Sequence, residues 1–116
     1  MQIQVNTDDN VEGRDALIRH VEDTVRTTLG HFASQITRVE VHLGDENAAK
    51  YGGVDKRCLM EARPARHQPV AVSHHAATLP KAYDGAARKL KALLDKTLGR
   101  LKDAKGAASI RDNDLR

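Results

Sequence analysis

The chain has 116 residues, of which 40% are hydrophobic and 30% charged, and its formal net charge is +3. This length fits one domain, and one Phe, two Tyr and no Trp indicate an aliphatic core and exclude an array of aromatic platforms for stacking on bases. The amino terminus lacks the features of a signal peptide, and no segment approaches the roughly 18 apolar residues of a membrane span. We therefore expect a cytoplasmic protein.

In the first half of the chain the spacing of apolar residues alternates between that of a strand and that of a helix. Residues 2–6 alternate polar and apolar side chains, which predicts a first strand. From about Gly13 to Gly30 the spacing is helical, because apolar residues recur at every fourth position: Leu17, Val21, Val25 and Leu29. Residues 36–43 alternate again, which predicts a strand with one buried face: Thr37, Val39, Val41 and Leu43.

The second half begins with a glycine-containing segment, residues 44–55, which predicts a mobile hairpin loop. Residues 56–63 and 68–74 predict two further strands. From Leu79 to about Lys105 a long apolar arc predicts the second helix: Tyr83, Ala86, Ala87, Leu90, Leu93, Leu94, Thr97, Leu98 and Leu101. From Gly106 onward the apolar period is lost, which predicts a flexible tail over residues 106–116.

The predicted order of elements is β-α-β-β-β-α, in a single domain over residues 1–105. Each strand has one apolar face and each helix one apolar stripe. The economical packing is an α+β fold with both helices on one face of a four-stranded sheet. The other face, which carries polar side chains such as Gln4, Arg38 and His42, would be open to solvent.

Positive charge is concentrated in the second helix. Residues 81–105 contain eight basic and three acidic residues, whereas residues 1–80 contain nine basic and eleven acidic residues. At about 100° per residue, the basic side chains fall opposite the apolar arc, where they could neutralise phosphates. Charge alone leaves open the alternative that this is an ordinary solvated helix face, because three Asp residues interrupt it.

The histidines, the cysteine and the sequence motifs give no indication of a metal site or an active site. His67, His74 and His75 invite a metal interpretation, but adjacent strand residues point to opposite faces, so His74 and His75 cannot share one ion. Cys58 lies in an alternating apolar stretch and is interpreted as a core residue. The sequence has no phosphate-binding glycine loop, nucleophile elbow or metalloprotease motif. We predict no metal, no cofactor, no small-molecule substrate and no enzymatic activity.

Several segments carry a resemblance to a known family. The opening MQIQV, followed by Asn10-Val11-Glu12 and Ala16-Leu17, resembles the start of the ribosome hibernation promoting factor and ribosome-associated inhibitor family, also called the sigma modulation protein family. The segment AYDGAARKLKALLDKTLGRLK resembles that family's last helix. The resemblance covers about residues 1–105. It implies a fold related to double-stranded RNA-binding domains.

The resemblance also implies a function and a site. Members of the family dock on the small ribosomal subunit, in the channel for messenger and transfer RNA, and silence idle ribosomes as a brake on translation under stress. Carried over by position, the helix residues that would contact ribosomal RNA are Lys89, Lys96 and Lys102, with Arg88, Lys91 and Arg100 on the same face. A separate basic run supplies three further candidates, Arg57, Arg63 and Arg66.

This chain departs from the family pattern at Thr78-Leu79-Pro80, where many members have an acidic residue and then an aromatic one. The sequence also ends without the extra domain by which long members pair ribosomes, so we expect silencing of single ribosomes or pairing through a second protein. Two alternatives stay open: a general RNA-binding domain that recognises duplex RNA, and a regulator of the sigma-modulation type that binds a protein through the open sheet face.

Overall fold

A computed structural model of the chain describes residues 1–7, 14–45 and 56–110, with the backbone alone for Asp45 and residues 100–110. The strands and helices, in chain order, are β1 (Gln2–Thr7), α1 (Arg14–Leu29), β2 (Ile36–Asp45), β3 (Lys56–Pro64), β4 (Val70–Ala76) and α2 (Leu79–Ile110). A 3₁₀ turn, Gly30–Phe32, follows α1. The predicted order β-α-β-β-β-α is confirmed, as is the end of α1 at Gly30.

The four strands form one mixed sheet in the order β1-β2-β3-β4. β1 pairs with β2 in parallel, and the two later pairs are antiparallel. A parallel pair needs a crossover connection, and α1 lies within that connection. α2 packs on β3 and β4, whereas α1 contacts β1 and α2. Both helices therefore cover one face of the sheet, and the predicted α+β architecture is confirmed.

The core lies between the sheet and the helices. The strand and helix periods of the sequence explain which residues belong to it. Alternate residues of β2 and β3 and every third or fourth residue of each helix are buried. The largest fully buried side chains are Leu29, Met60, Leu90, Leu94, Val21, Val25, Val39, Val41 and Cys58. Burial raises the pKa of the Cys58 thiol to about 12, which keeps it protonated and unreactive. The interpretation of Cys58 as a core residue is confirmed.

The predicted inward position of Thr37 is wrong. The register of β2 against β3 shifts between Ile36 and Arg38, so that Ile36 is buried and Thr37 is exposed. Thr37 donates a hydrogen bond from Oγ1 to the Arg63 carbonyl at 2.9 Å. A bulge adds one residue to one strand and locally breaks the alternation of faces, which a strict period of two does not anticipate.

The second helix is longer than predicted. It continues past Lys105 to Ile110, so residues 106–110 belong to α2. Intrinsic preference is consistent with this extension, because Ala104, Ala107 and Ala108 have high helix propensity. Positions 44 and 45 of the predicted hairpin loop (44–55) belong to β2. The rest of that loop, and the predicted tail (106–116) from position 111 onward, lie outside the described residues.

Gly85 of α2 lies directly against His74 of β4. A Cβ on Gly85 would lie 2.8 Å from Cγ of the His74 ring, and closer still to Cδ2 and Nε2. Such distances require one of the two groups to move. The close approach of helix to strand at this point therefore depends on the missing side chain.

We expect Gly85→Ala to destabilise the domain by about 1–3 kcal/mol, since an overpacked contact outweighs the gain in helix propensity. In a His74→Ala background the same change should stabilise it by up to about 1 kcal/mol, because the obstacle is gone. Urea unfolding of the four members of this double-mutant cycle measures the difference. An equal effect of Gly85→Ala in both backgrounds would contradict the contact.

Candidate nucleic-acid interface

The basic side chains of α2 lie on its outward surface. Arg88, Lys89, Lys91 and Lys96 are all exposed, and they alternate with the buried residues Ala86, Ala87, Leu90 and Leu94. Arg100 and Lys102 follow on the same helix, but their side chains lie outside the described part of the chain. The helical phase predicted from the sequence is thus confirmed through Leu98.

The exposed surface of α2 divides into two flanks of different charge. At about 100° per residue, Lys89 and Lys96 lie on the side of Gly85, which faces β4. Lys91 lies on the opposite side, together with Asp84 and Asp95. Between residues 79 and 99 the flank toward β4 carries no acidic residue, so its positive charge is not compensated along the helix.

Lys89 joins this flank to the edge of the sheet. Its Nζ donates a hydrogen bond to the Ser73 carbonyl of β4 at 3.1 Å, although the side chain remains exposed. β4 is the last strand of the sheet, and α2 runs back along it. Lys89 therefore bridges β4 and α2 where they meet at this edge of the sheet, and we call this junction the β4–α2 seam.

The sheet arginines lie on another surface. Arg63 and Arg57 alternate with the buried residues Cys58, Met60 and Ala62 along β3, and so they lie on the open face of the sheet. The helices cover the opposite face. The structure therefore does not bring Arg57 and Arg63 together with the basic residues of α2.

Charge on the open sheet face is largely paired. Glu40, whose side chain is 16% exposed, lies 3.2 Å from Nε of Arg38, 3.6 Å from Nη2 of Arg63 and 3.7 Å from Nε2 of His42. Glu61 accepts a further hydrogen bond from Nε of Arg63 at 3.3 Å. Arg38 also donates to Oε1 of Gln4. Binding a phosphate here would require Arg63 to leave two carboxylates.

Arg66 lies apart from both surfaces, in the turn between β3 and β4. His67 donates its backbone N–H to the Pro64 carbonyl at 3.3 Å, and Arg66 has a φ of 64°. This left-handed conformation costs a residue with a side chain about 1 kcal/mol relative to glycine. The exposed Arg66 side chain is thus presented from a strained turn.

The three histidines have three different environments. His75 is exposed on the open sheet face, whereas His74 faces α2 and is half-buried. His67 lies in the turn, with Nδ1 2.8 Å from the Gln68 carbonyl. Partial burial, and then the charges of Lys89, His75 and Arg88, hold the pKa of His74 below its usual value. Within the described ranges, no group of three or more His, Cys, Asp or Glu residues is placed to hold a metal ion.

Sequence reasoning missed the association of His74 with the basic helix. The signal was present, because Val70, Val72 and His74 share one face of β4 by simple alternation, and two of them are valines that belong against the core. The contact with Gly85 had no sequence signal, since it depends on how α2 sits on the sheet.

Comparison with known proteins decides the family. Residues 3–102 match the model of the family described as sigma 54 modulation protein / S30EA ribosomal protein. The chain belongs to this family. A search of curated protein sequences gives no significant match. The resemblance stated for residues 1–105 is thereby confirmed.

Two solved structures of similar fold support the architecture of this sigma 54 modulation / S30EA family member. The Thermus thermophilus Protein Y N-terminal domain superposes with a TM-score of 0.67 at 20% identity, over 84% of this chain and 99% of that one. A ribosomal subunit interface protein from Coxiella burnetii has a TM-score of 0.64 at 13% identity, over 85% and 99%. Identities this low show the fold alone. No helix in the described segments is long and apolar enough to cross a membrane.

Proposed function

We propose that this protein is a ribosome-associated translation inhibitor of the cytoplasm, which binds small-subunit ribosomal RNA in the channel for messenger and transfer RNA and silences idle ribosomes. The observation that carries the proposal is the acid-free basic flank of α2 at the β4–α2 seam, in a chain that belongs to the S30EA family. The description of that family as S30EA ribosomal protein supports the ribosome as partner.

The physical basis of the interaction is phosphate neutralisation. Lysines held along a rigid helix can neutralise the phosphates of an RNA backbone and release counterions when they bind it. Aromatic stacking contributes little, because the chain has one Phe, two Tyr and no Trp. Recognition would therefore depend on the shape and charge of structured RNA, of which the small subunit offers a large surface. The action is binding, with no bond made or broken.

Within this proposal α2 is the principal contact and the sheet arginines are secondary. Arg63 already pairs with Glu40 and Glu61. It must give up these carboxylates to bind a phosphate, so it gains less binding free energy than a lysine without a carboxylate partner. The flank of α2 has no such competitor between residues 79 and 99. We accordingly assign the main RNA contacts to Lys89 and Lys96, with Arg88 next to them and Lys91 as a further contact on the opposite flank, and assign Lys102 and Arg100 by position along the helix. Arg57, Arg63 and Arg66 are peripheral.

Sedimentation with purified ribosomes and free small subunits tests the proposal. We expect the protein to cosediment with small subunits at low salt, to be released as salt rises because phosphate contacts weaken steeply, and to be displaced by transfer RNA. Binding to duplex RNA but not to ribosomes would indicate a general RNA-binding domain. Retention by a purified sigma factor at high salt, without ribosome binding, would indicate a protein-binding regulator.

A further inference from the structure

We propose that His74, together with Arg88 and Lys89, forms a phosphate-binding site at the β4–α2 seam, and that its imidazole takes up a proton when an RNA phosphate binds there. This inference rests on the proposed function, since it assigns a further contact residue and a pH dependence to the same RNA-binding surface.

The first argument is steric. The Cδ2–Nε2 edge of the His74 ring faces Gly85, where any Cβ would overlap it. The ring is therefore held between strand and helix at the margin of the seam. In the part of the chain that the structure describes, neither ring nitrogen of His74 has a hydrogen-bond partner, so the imidazole is positioned but not used by the fold.

The second argument concerns the charges around the ring. From α2, the side chains of Arg88 and Lys89 act on His74, and from β4 its neighbour His75 does the same. From β3, the buried thiol of Cys58 lies opposite His74, and Lys56 lies two residues further along the same face. Every ionised group in this set is cationic, which together with partial burial favours neutral His74 in the free protein and lowers its pKa.

A bound phosphate reverses this balance. Its negative charge offsets Arg88 and Lys89, removes the penalty on the imidazolium and accepts a hydrogen bond from a ring N–H. The pKa of His74 is then higher in the complex than in the free protein. By linkage, affinity is greatest below the free-state pKa and declines as pH rises through the bound-state pKa, above which the contribution of His74 is lost.

The test measures binding of the full chain to purified bacterial small ribosomal subunits at pH 5.5, 6.5 and 7.5, at one fixed ionic strength. Wild type is compared with His74→Gln and with His75→Gln, a matched control on the opposite face of the same strand. For a pKa raised by one unit the limiting gain in affinity is about tenfold, of which wild type should show roughly fivefold between pH 7.5 and pH 5.5, because neither proton equilibrium is complete at the ends of this range. The same ratio should hold for His75→Gln and fall to about twofold or less for His74→Gln.

A second measurement counts the protons directly. Calorimetric titration of small subunits at pH 6.5, in buffers of different ionisation enthalpy, counts the protons taken up on binding. Uptake by wild type and His75→Gln that is absent in His74→Gln supports the site. Equal pH ratios and equal uptake in all three proteins overturn it while leaving the proposed function intact. Failure of wild type to bind at any pH overturns both.

Discussion

Replacement of Lys89 and Lys96 by glutamate is expected to weaken binding to small ribosomal subunits by at least about 100-fold at moderate salt, because two attractions to phosphate become two repulsions. The dependence of log affinity on log salt should also become shallower by about one unit for each phosphate that is no longer neutralised. Both side chains are exposed on the acid-free flank of α2, so the fold should persist. Quantitative sedimentation over a range of salt concentrations measures both effects.

The matched control reverses the charge of two arginines on the other helix, α1. Arg19→Glu with Arg26→Glu changes the net charge by the same amount, and both side chains are exposed on α1. If binding responds only to net charge, the two double variants will bind equally weakly. That result would remove α2 from the interface, whereas weakened binding confined to the Lys89 and Lys96 variant locates the interface there.

Leu90→Asp is expected to unfold the domain. Leu90 is completely buried at the centre of the α2 stripe, and its environment contains no cation to pair with a carboxylate, because the described core has no buried polar or charged side chain. An unpaired buried charge costs several kcal/mol, which is on the order of the whole stability of a small domain. Circular dichroism and urea unfolding of the purified variant give the result directly.

Ala92→Asp is the control, since residue 92 is exposed on the same helix two positions away. This variant should remain folded, with a change in unfolding free energy of about 0.5 kcal/mol or less. A folded Leu90→Asp protein, or an equal decrease of stability in both variants, would show that the stripe has a different phase from the one described.

Where residue period and burial coincide, the fold could be predicted from sequence alone. Val21, Val25 and Leu29 define one apolar helix face, and Val39 and Val41 define one apolar strand face. The sequence therefore predicts that these two faces pack against each other. The basic surface of α2 follows from the same reasoning, because whatever lies opposite a buried stripe is exposed. Local pattern and tertiary packing agree at these positions.

The differences occur where a local rule competes with packing. Unbroken alternation assigns Thr37 to the core, whereas a bulge there lets Ile36 fill the core instead. The pairing of Arg63 with Glu40 joins residues 23 positions apart, and no local pattern fixes the rotamers that meet. Alternation places His74 and His75 on opposite faces, but the position of His74 against Gly85 depends on the height of α2 above the sheet.

Lys89 also protects the free edge of the sheet. An outermost strand offers unpaired carbonyls to any passing chain, and natural sheets discourage such pairing with lysines near the edge. The hydrogen bond from Lys89 to the Ser73 carbonyl occupies one of these acceptors and sets an ammonium group over β4. The same side chain is thus placed to oppose self-association of the free protein through this edge.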